Sequence, residues 1–325
     1  MAMSRRDFVR LAAGASAAPA FVRRASAQAY PARTVQMLVP YAPGGGTDLA
    51  ARLIGQWLSE RLGQQFIVIN RPGAGSNVGT EAVVRARPDG YTLLVFDPSA
   101  AINATLYDRL DFVFLRDIAP VALLVRTPLI MVVNPAVPAT TVPAFVAYAK
   151  ANPGKINMGS GGIGTTPHVS GELFNMMAGV KLVHVPYRGS GPARTDLIAG
   201  QVQVMFDAIA QALEYVKGGQ LRALAVCTPT RAEVLPDVPA IAEFVPGYAS
   251  DTWYGVGAPK GTAPEIIETL NREINAGLAD PRIKARLAEL GGTVVTGSPA
   301  EFGKLLADET EKWGKVVKFS GVKAD

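Results

Sequence analysis

Short apolar runs alternate with segments of helical periodicity along the chain after residue 27. The apolar runs predict strands at 35–40, 66–69, 91–96, 129–133, 155–158, 183–185, 202–206, 221–227 and 253–256. Apolar spacing and terminal Gly and Pro residues predict helices at 49–62, 78–86, 141–151, 168–177, 193–198, 211–217, 264–278, 281–290 and 298–318. This alternation predicts an α/β fold in which largely parallel sheets are covered by helices.

Three glycine-rich turns, at 41–48, 70–77 and 159–168, each follow a predicted strand and precede a predicted helix. The start of a helix offers unpaired backbone N–H groups and the positive end of the helix dipole, which together attract anions. Glycine also lets a ligand approach the backbone closely. Any one of these turns could be a simple tight connection. Three of them favour a binding cleft at the carboxyl ends of the strands.

The turns do not match the familiar phosphate-binding motifs. No Gly-Lys-Ser/Thr follows any of them, so the Walker A motif is absent. Gly159, Gly161 and Gly164 have the spacing of the dinucleotide fingerprint, but that motif expects an acidic residue about 20 positions later. The segment from Lys181 to Pro186 contains none. We therefore expect no nucleotide and no other cofactor.

Groups suited to catalysis are scarce. The chain lacks a Gly-x-Ser-x-Gly elbow, and its two histidines, His168 and His184, do not have the spacing of zinc motifs. His168, on the third turn, either caps a helix or contacts a ligand, whereas His184 lies in an apolar run and is expected to be structural. The single cysteine, Cys227, is expected to be buried. Nothing in the sequence positions a Ser–His–Asp triad, although none is excluded.

The N-terminus has the order of an export signal. Arg5 and Arg6 form a twin-arginine pattern, a weakly apolar stretch follows at 11–22, and Ala25-Ser26-Ala27 resembles a cleavage site. This predicts a signal peptide at 1–27 and a periplasmic protein. The net charge is +5, but the first 27 residues carry +4 of it. The remainder is nearly neutral, so we expect no nucleic-acid partner.

Several motifs in order resemble the tripartite tricarboxylate transporter substrate-binding proteins, also called the Bug family. The resemblance covers residues 30–325. It rests on motifs at 39–48, 70–75, 88–94, 148–155, 183–187, 205–207, 221–226 and 235–239, beginning with Val39-Pro40-Tyr41-Ala42-Pro43-Gly44-Gly45-Gly46-Thr47-Asp48. It implies a clamshell of the type II periplasmic-binding-protein kind, with a mostly parallel sheet in each domain and two crossovers. Domain 1 would comprise 28–127 and 253–325, and domain 2 would comprise 128–252.

The resemblance also implies a ligand site between the two domains. A ligand carboxylate would sit on the first two turns, which carries over to Tyr41, Ala42, Gly44, Gly45, Thr47, Asp48, Gly73, Ala74, Gly75 and Ser76. The opposing wall and floor would be formed by Ser160, Gly161, Thr165, His168, Tyr187 and Asp207. The segment Phe96-Asp97-Pro98-Ser99 departs from the usual family pattern and is expected to line the pocket, where it bears on ligand identity.

The function expected on this basis is a non-enzymatic solute-binding protein. It would capture a small carboxylate, such as a di- or tricarboxylate or an aromatic acid, and deliver it to the membrane permease subunits of a tripartite tricarboxylate transporter. Two alternatives use the same cleft. A periplasmic hydrolase would turn its ligand over and would need Ser160 or His168, and a ligand sensor would dock to a signalling partner instead of a transporter.

Overall fold

The computed structural model describes residues 30–289 and 291–324, so the predicted signal peptide lies outside the described residues. The strands are β1 (Val35–Val39), β2 (Phe66–Asn70), β3 (Thr92–Phe96), β4 (Ile118–Val133), β5 (Asn157–Ser160), β6 (Val183–Pro186), β7 (Val204–Ala208), β8 (Arg222–Val226), β9 (Asp251–Pro259) and β10 (Thr293–Val294). The helices are α1 (Gly46–Leu62), α2 (Asn77–Val84), α3 (Ser99–Leu106), α4 (Phe114–Asp117), α5 (Val142–Ala151), α6 (Thr166–Ala178), α7 (Ser190–Ile198), α8 (Ile209–Lys217), α9 (Pro264–Ala279), α10 (Pro281–Glu289) and α11 (Pro299–Ser320).

The strands form two sheets that share β4. In the first sheet the order is β2-β1-β3-β9-β4, with β10 on the far edge of β4. In the second sheet β4 lies between β7 and β8, and β5 and β6 continue beyond β7. Helices flank both sheets, which confirms the α/β fold class. Every antiparallel pair involves β4 or β9, whereas the other pairs are parallel.

Two strands connect the sheets. β4 belongs to the first sheet over its N-terminal part and to the second sheet from Leu129 onward. β9 returns the chain to the first sheet and pairs antiparallel with β4 from Pro128↔Asp251 to Ile118↔Pro259. The two connections therefore lie side by side and are hydrogen-bonded to each other. An ion pair between Arg126 and Asp251, with a nitrogen–oxygen distance of 2.7 Å, joins them at the junction.

The helices cover the sheets with the apolar faces that their periodicity predicts. In α1, Ile54 and Leu58 are fully buried in the core of the first sheet. The helix ends at Gly63, which has a left-handed φ of 69° and donates its N–H to the carbonyl of Ser59, as predicted for a C-terminal glycine. The C-terminal helix α11 begins with a capping box between Ser298 and Glu301.

The largest core combines side chains of the second sheet and its helices with side chains of α3 and the C-terminal helix α11. Trp313, Val316 and Val317 of α11 pack in the same cluster as Phe174 of α6. Ala101, Ile102 and Leu106 of α3 belong to this cluster as well. The helices α3 and α11 therefore pack against α6, which follows the third glycine-rich turn. Cys227 is fully buried, as predicted.

The sequence prediction differs from the structure at several places, and the short helix α4 and the two-residue strand β10 were not predicted. The strand predicted at 129–133 is the end of β4, which begins at Ile118. Pro120 and Pro128 argue against a strand in this segment. The register with β9 shifts next to Pro120, and Pro128 lies at the end of the pairing with β9. The helix α3 was not predicted, because its short Ala-rich sequence has no clear polar face. In the described part of the chain, no helix combines the length and apolarity that crossing a bilayer requires.

Candidate functional site

The strand order places one crevice in each sheet. In the first sheet the chain leaves β1 toward β2 on one side, and β3 lies on the other side. In the second sheet β5 has β6 on one side and β7 on the other. Ligands of open α/β sheets bind at such switch points, beyond the carboxyl ends of the strands. The loops after β1 and β3 meet at the first crevice, and the loops after β5 and β7 meet at the second.

The first glycine-rich turn leads directly into α1. Gly45 is the N-cap, so the amides of Gly46 and Thr47 in the first helical turn have no intrahelical carbonyl to pair with. Gly44 and Gly45 are exposed, and a Cβ atom added at either would meet no atom within 4 Å. This open backbone at the positive end of a 17-residue helix is suited to an anion.

Asp48 holds the first turn in shape. Its buried carboxylate accepts hydrogen bonds from the Gly44 amide at 2.9 Å, from Asn70 at 2.8 Å and from Arg52 at 2.9 and 3.0 Å. Burial by itself would raise the pKa of Asp48, but the hydrogen bonds from Arg52, Gly44 and Asn70 outweigh it, and the pKa is lowered. Since Asn70 ends β2, Asp48 also joins the first turn to the second.

The second turn has an unusual backbone. Four consecutive residues, Gly73, Ala74, Gly75 and Ser76, have positive φ angles, of 142°, 45°, 58° and 89°. Ala74 and Ser76 are the non-glycine residues with positive φ in the described chain, and such strain is concentrated at functional sites. The side chain of Asn103 in α3 supports the turn, since its nitrogen donates to the carbonyl of Gly75 at 2.6 Å.

The third turn is held by a hydroxyl and two imidazoles. Ser160 Oγ lies 2.6 Å from His184 Nε2 and accepts a hydrogen bond from the Gly162 amide at 3.1 Å. His168 Nδ1 accepts the Gly164 amide at 3.1 Å, and its ring stacks on that of His184 with a centroid distance of 3.6 Å. His168 therefore supports the loop before α6 and does not cap a helix, and its contact with a ligand stays a prediction. His184 is held within the protein by Ser160 and His168.

Both imidazoles are neutral at physiological pH. Burial, with a smaller contribution from His184, lowers the pKa of His168 to about 3. Burial lowers the pKa of His184 to about 4. Because Nδ1 of His168 accepts the amide of Gly164, its proton is on Nε2. The third turn thus presents no positive charge from its histidines.

Tyr187 and Asp207 lie at the second crevice but have partners within the protein. The hydroxyl of Tyr187 donates to Asp196 at 2.7 Å. Asp207 forms a buried ion pair with Arg194 at 2.7 Å. Burial raises the pKa of Asp207 despite that pairing. These contacts make both side chains part of the framework of the crevice.

The structure divides the sixteen predicted site residues by exposure. Ala42, Gly44, Gly45, Gly73, Ala74 and Gly75 are exposed, and Tyr41, Gly161, Thr165 and Tyr187 are half-buried. Thr47, Asp48, Ser76, Ser160, His168 and Asp207 are buried. The buried residues support the loops, while the exposed ones offer backbone to a ligand. Ser160 is fully buried, and its hydroxyl is engaged with His184 and the Gly162 backbone.

Three residues at the first crevice, Asp97, Tyr254 and Asn103, were not predicted as ligand-binding. The hydroxyl of Tyr41 donates to Asp97 after β3 at 2.6 Å. Tyr254 of β9 packs against the first turn of α1, since a Cβ atom added at Gly46 would overlap its hydroxyl. Asn103 supports the second turn. The departure at 96–99 from the family pattern pointed toward Asp97, but nothing in the local sequence indicates Tyr254 or Asn103.

The two crevices approach each other at α3. A Cβ atom on Gly164 of the third turn would overlap the Leu106 side chain of α3. Since Asn103 of the same helix supports the second turn, α3 contacts glycine-rich turns of both sheets. The helix α3 therefore connects the second turn, in the first sheet, to the third turn, in the second sheet, and the candidate site consists of the three turns.

Comparison with known proteins identifies the family. The model of the tripartite tricarboxylate transporter family receptor matches residues 50–322. The chain belongs to this receptor family. It is 38% identical over 301 residues to the protein BugT of Bordetella pertussis, covering 92% of each chain.

The chain is also similar to solved structures. Rpa4515 of R. palustris, with adipate, has 36% identity and a TM-score of 0.78 over 90% of this chain and 99% of that one. MatC of Rhodopseudomonas palustris, with bound malate, has 32% identity and a TM-score of 0.76 over 89% of this chain and 100% of that one. The family resemblance noted in the sequence is therefore confirmed, and membership in a receptor family answers the hydrolase alternative.

Proposed function

We propose that this receptor captures a small carboxylate in the cleft between its two sheets and delivers it to the membrane subunits of a tripartite tricarboxylate transporter. The observation that carries the proposal is the open N-terminal turn of α1 beside the strained second turn, both at the switch point of the first sheet. Adipate and malate in the related structures are small carboxylates of the kind that such amides suit. The periplasm is the expected location because the N-terminus has the order of an export signal.

The binding mechanism is closure of the cleft around the ligand. One carboxylate accepts hydrogen bonds from the amides of the first two turns, and the rest of the ligand meets the turn after β5. Micromolar affinity corresponds to about −8 kcal/mol. Several charge-assisted hydrogen bonds of roughly 1.5–3 kcal/mol each can supply it. The two sheets, each with its flanking helices, then move toward each other about the paired strands β4 and β9.

The test uses the exported protein purified from the periplasm, whose mass shows whether residues 1–27 are removed. A panel of carboxylates is screened by thermal shift, because a ligand that binds only the folded state raises the Tm. Each ligand that shifts the Tm is then measured by calorimetry and recovered for mass spectrometry. We expect micromolar binding and an unchanged ligand. Consumption of the ligand, or no shift with any carboxylate, would contradict the proposal.

A substitution at Gly45 tests the position of the ligand. Gly45 has an ordinary φ of −76° and empty space around its Cβ position, so Gly45→Val is compatible with the fold. The added side chain would occupy the space before the α1 amides, and we expect it to abolish binding while lowering the free energy of unfolding by no more than about 1 kcal/mol, because valine is less favourable than glycine at an N-cap. Ala144→Val, on the exposed face of α5, is the matched control and should bind normally. Unchanged affinity in Gly45→Val would remove α1 from the site.

A further inference from the structure

Asp97 lies at the switch point of the first sheet. It follows the last residue of β3, and its Oδ1 accepts the Tyr41 hydroxyl at 2.6 Å and the Ser99 amide at 2.9 Å. Tyr41 follows β1 in the first glycine-rich turn. The carboxylate therefore bridges the ends of β1 and β3, the two strands that form the crevice.

The same carboxylate borders the anion-binding turn of α1. The hydroxyl of Tyr254 packs against Gly46 in that turn. Burial and then the nearby charge of Asp97 raise the pKa of Tyr254. Asp97 and the α1 amides thus share Tyr254 as a neighbour, so a ligand on these amides lies close to Asp97.

Asp97 differs from Asp48 and Asp207 in having no cationic partner. Asp48 is paired with Arg52, and Asp207 is paired with Arg194. Among residues 30–289 and 291–324, no Lys, Arg or His nitrogen lies within salt-bridge range of Asp97, which has only neutral donors. Burial raises the pKa of its carboxyl group, because the hydrogen bonds from its neutral donors do not fully replace the lost hydration of the charged form.

This arrangement has a consequence for the ligand. A plain carboxylate on the α1 amides would bring a second negative charge toward Asp97, which is unfavourable in a partly buried site. A ligand that carries an ammonium group next to its carboxylate would place the carboxylate on the amides and the ammonium on Asp97. The negative charge of such a ligand then faces the α1 amides, and its positive charge faces Asp97.

We infer that Asp97 is a specificity-determining residue that makes this receptor prefer amino acids over carboxylates that lack an amino group. The inference rests on the proposed function, because it assumes that the ligand carboxylate binds at the first turn of α1. The carboxylate of Asp97, whose hydrogen-bond donors are neutral groups of Tyr41 and Ser99, is the group assigned to the ammonium. The rest of the ligand faces the second crevice.

The test compares acids that differ only by the amino group. Calorimetry is carried out on the exported protein with the pairs propanoate and alanine, succinate and aspartate, glutarate and glutamate, and 3-phenylpropanoate and phenylalanine. We expect one of the amino acids to bind at least about tenfold more tightly than its partner, the effect of one charge-assisted hydrogen bond. Several ligand lengths are included so that size does not hide the preference.

Asp97→Asn is the decisive variant. Asparagine has the same shape and can still accept hydrogen bonds from Tyr41 and Ser99, so the Tm of the free protein reports whether the fold is kept. We expect the variant to lose about tenfold or more in affinity for the preferred amino acid. Affinity for the matched plain acid should stay the same or rise. The control, Asp111→Asn, changes a carboxylate that is 80% exposed and should leave both affinities unchanged.

The remaining outcomes separate the two proposals. If plain carboxylates bind as tightly as the amino acids and Asp97→Asn changes neither, the role of Asp97 is overturned while the receptor function stands. If Asp97→Asn weakens the plain acid as much as the amino acid, Asp97 acts on the shape of the first turn, and the inference is also overturned. If no acid of either kind binds, the proposed function itself fails, and the inference fails with it.

Discussion

Gly46 and Tyr254 are in contact so close that even one methyl group on Gly46 would overlap the tyrosine hydroxyl. Gly46 begins α1, whereas Tyr254 lies in the strand β9 that returns the chain from the second sheet. The contact therefore sets how the anion-binding end of α1 sits against one of the two connections between the sheets. A change at this contact is expected to alter both stability and ligand binding.

Gly46→Ala should weaken the protein and its ligand binding together. Overpacking of this kind costs roughly 1–3 kcal/mol, because the start of α1 must move away from β9. Denaturant unfolding and calorimetry measure the two effects. Gly45→Ala, one residue earlier in open space, is the control and should cost only the N-cap preference of glycine over alanine, roughly 0.5–1 kcal/mol, with no overpacking against β9. Tyr254→Phe should restore part of the stability of Gly46→Ala, and a purely additive double mutant would contradict the contact.

Asp48→Asn should cost roughly 1.5–3 kcal/mol at pH 7, since an amide cannot accept from Gly44, Asn70 and Arg52 at once. The pKa of Asp48 is lowered in the folded state. Its stabilisation is therefore complete above the ordinary carboxyl pKa of about 4 and is lost as the pH falls below it. Unfolding of both proteins at pH 7, 5 and 3 should show the difference shrinking at pH 3.

The control for Asp48 is an exposed ion pair. Asp308→Asn removes the partner of Lys304 on the surface of α11, where the carboxylate is 60% exposed. It should change the free energy of unfolding by less than about 0.5 kcal/mol at each pH. An Asp48→Asn variant that behaves like this control would show that the first turn keeps its shape without the carboxylate.

The two histidines should not titrate in the physiological range. The pKa of His168 is about 3 and that of His184 about 4, each lowered mainly by burial. In the unfolded chain both should titrate near about 6.5. Because the unfolded chain takes up these protons first, stability should fall as the pH drops from about 6.5 toward 4. Imidazole NMR signals measured from pH 8 to 5.5 test this directly, since the chain has two histidines; a midpoint above pH 6 for either would contradict their burial.

Asn103→Ala should loosen the second turn. The side-chain nitrogen donates to the Gly75 carbonyl at 2.6 Å and to Asn77 Oδ1 at 3.0 Å, and its loss should cost roughly 1–3 kcal/mol. Hydrogen exchange at 73–77 should become faster, and ligand affinity should fall about tenfold. Asn275→Ala is the matched control, because Asn275 supports the carbonyl of Gly297 away from the cleft. It should lower stability but leave affinity unchanged.

The parts of this fold that depend on local sequence could be predicted, and the parts that depend on distant contacts could not. The three glycine-rich turns and the end of α1 at Gly63 follow from residues a few positions apart. Tyr254 reaches the site from β9, about two hundred residues after α1, so no periodicity indicates its role. The first part of β4 contains Pro120 and becomes a strand only because β9 pairs with it. His168 and Ser160 could be assigned to the third turn, but their burial follows from packing that sequence spacing does not report.

Because β4 is continuous, it links the unfolding of the two sheets. One strand of 16 residues supplies pairing partners to both sheets, and β9 pairs with it up to Pro128, next to the junction. Neither sheet can therefore melt while leaving the other complete, because each would lose a central strand. Calorimetric unfolding should show one endotherm, and halves of the protein produced as separate polypeptides should reconstitute poorly. Evolution could then exchange the loops at the strand ends to change the ligand, but it could not readily exchange whole lobes between receptors.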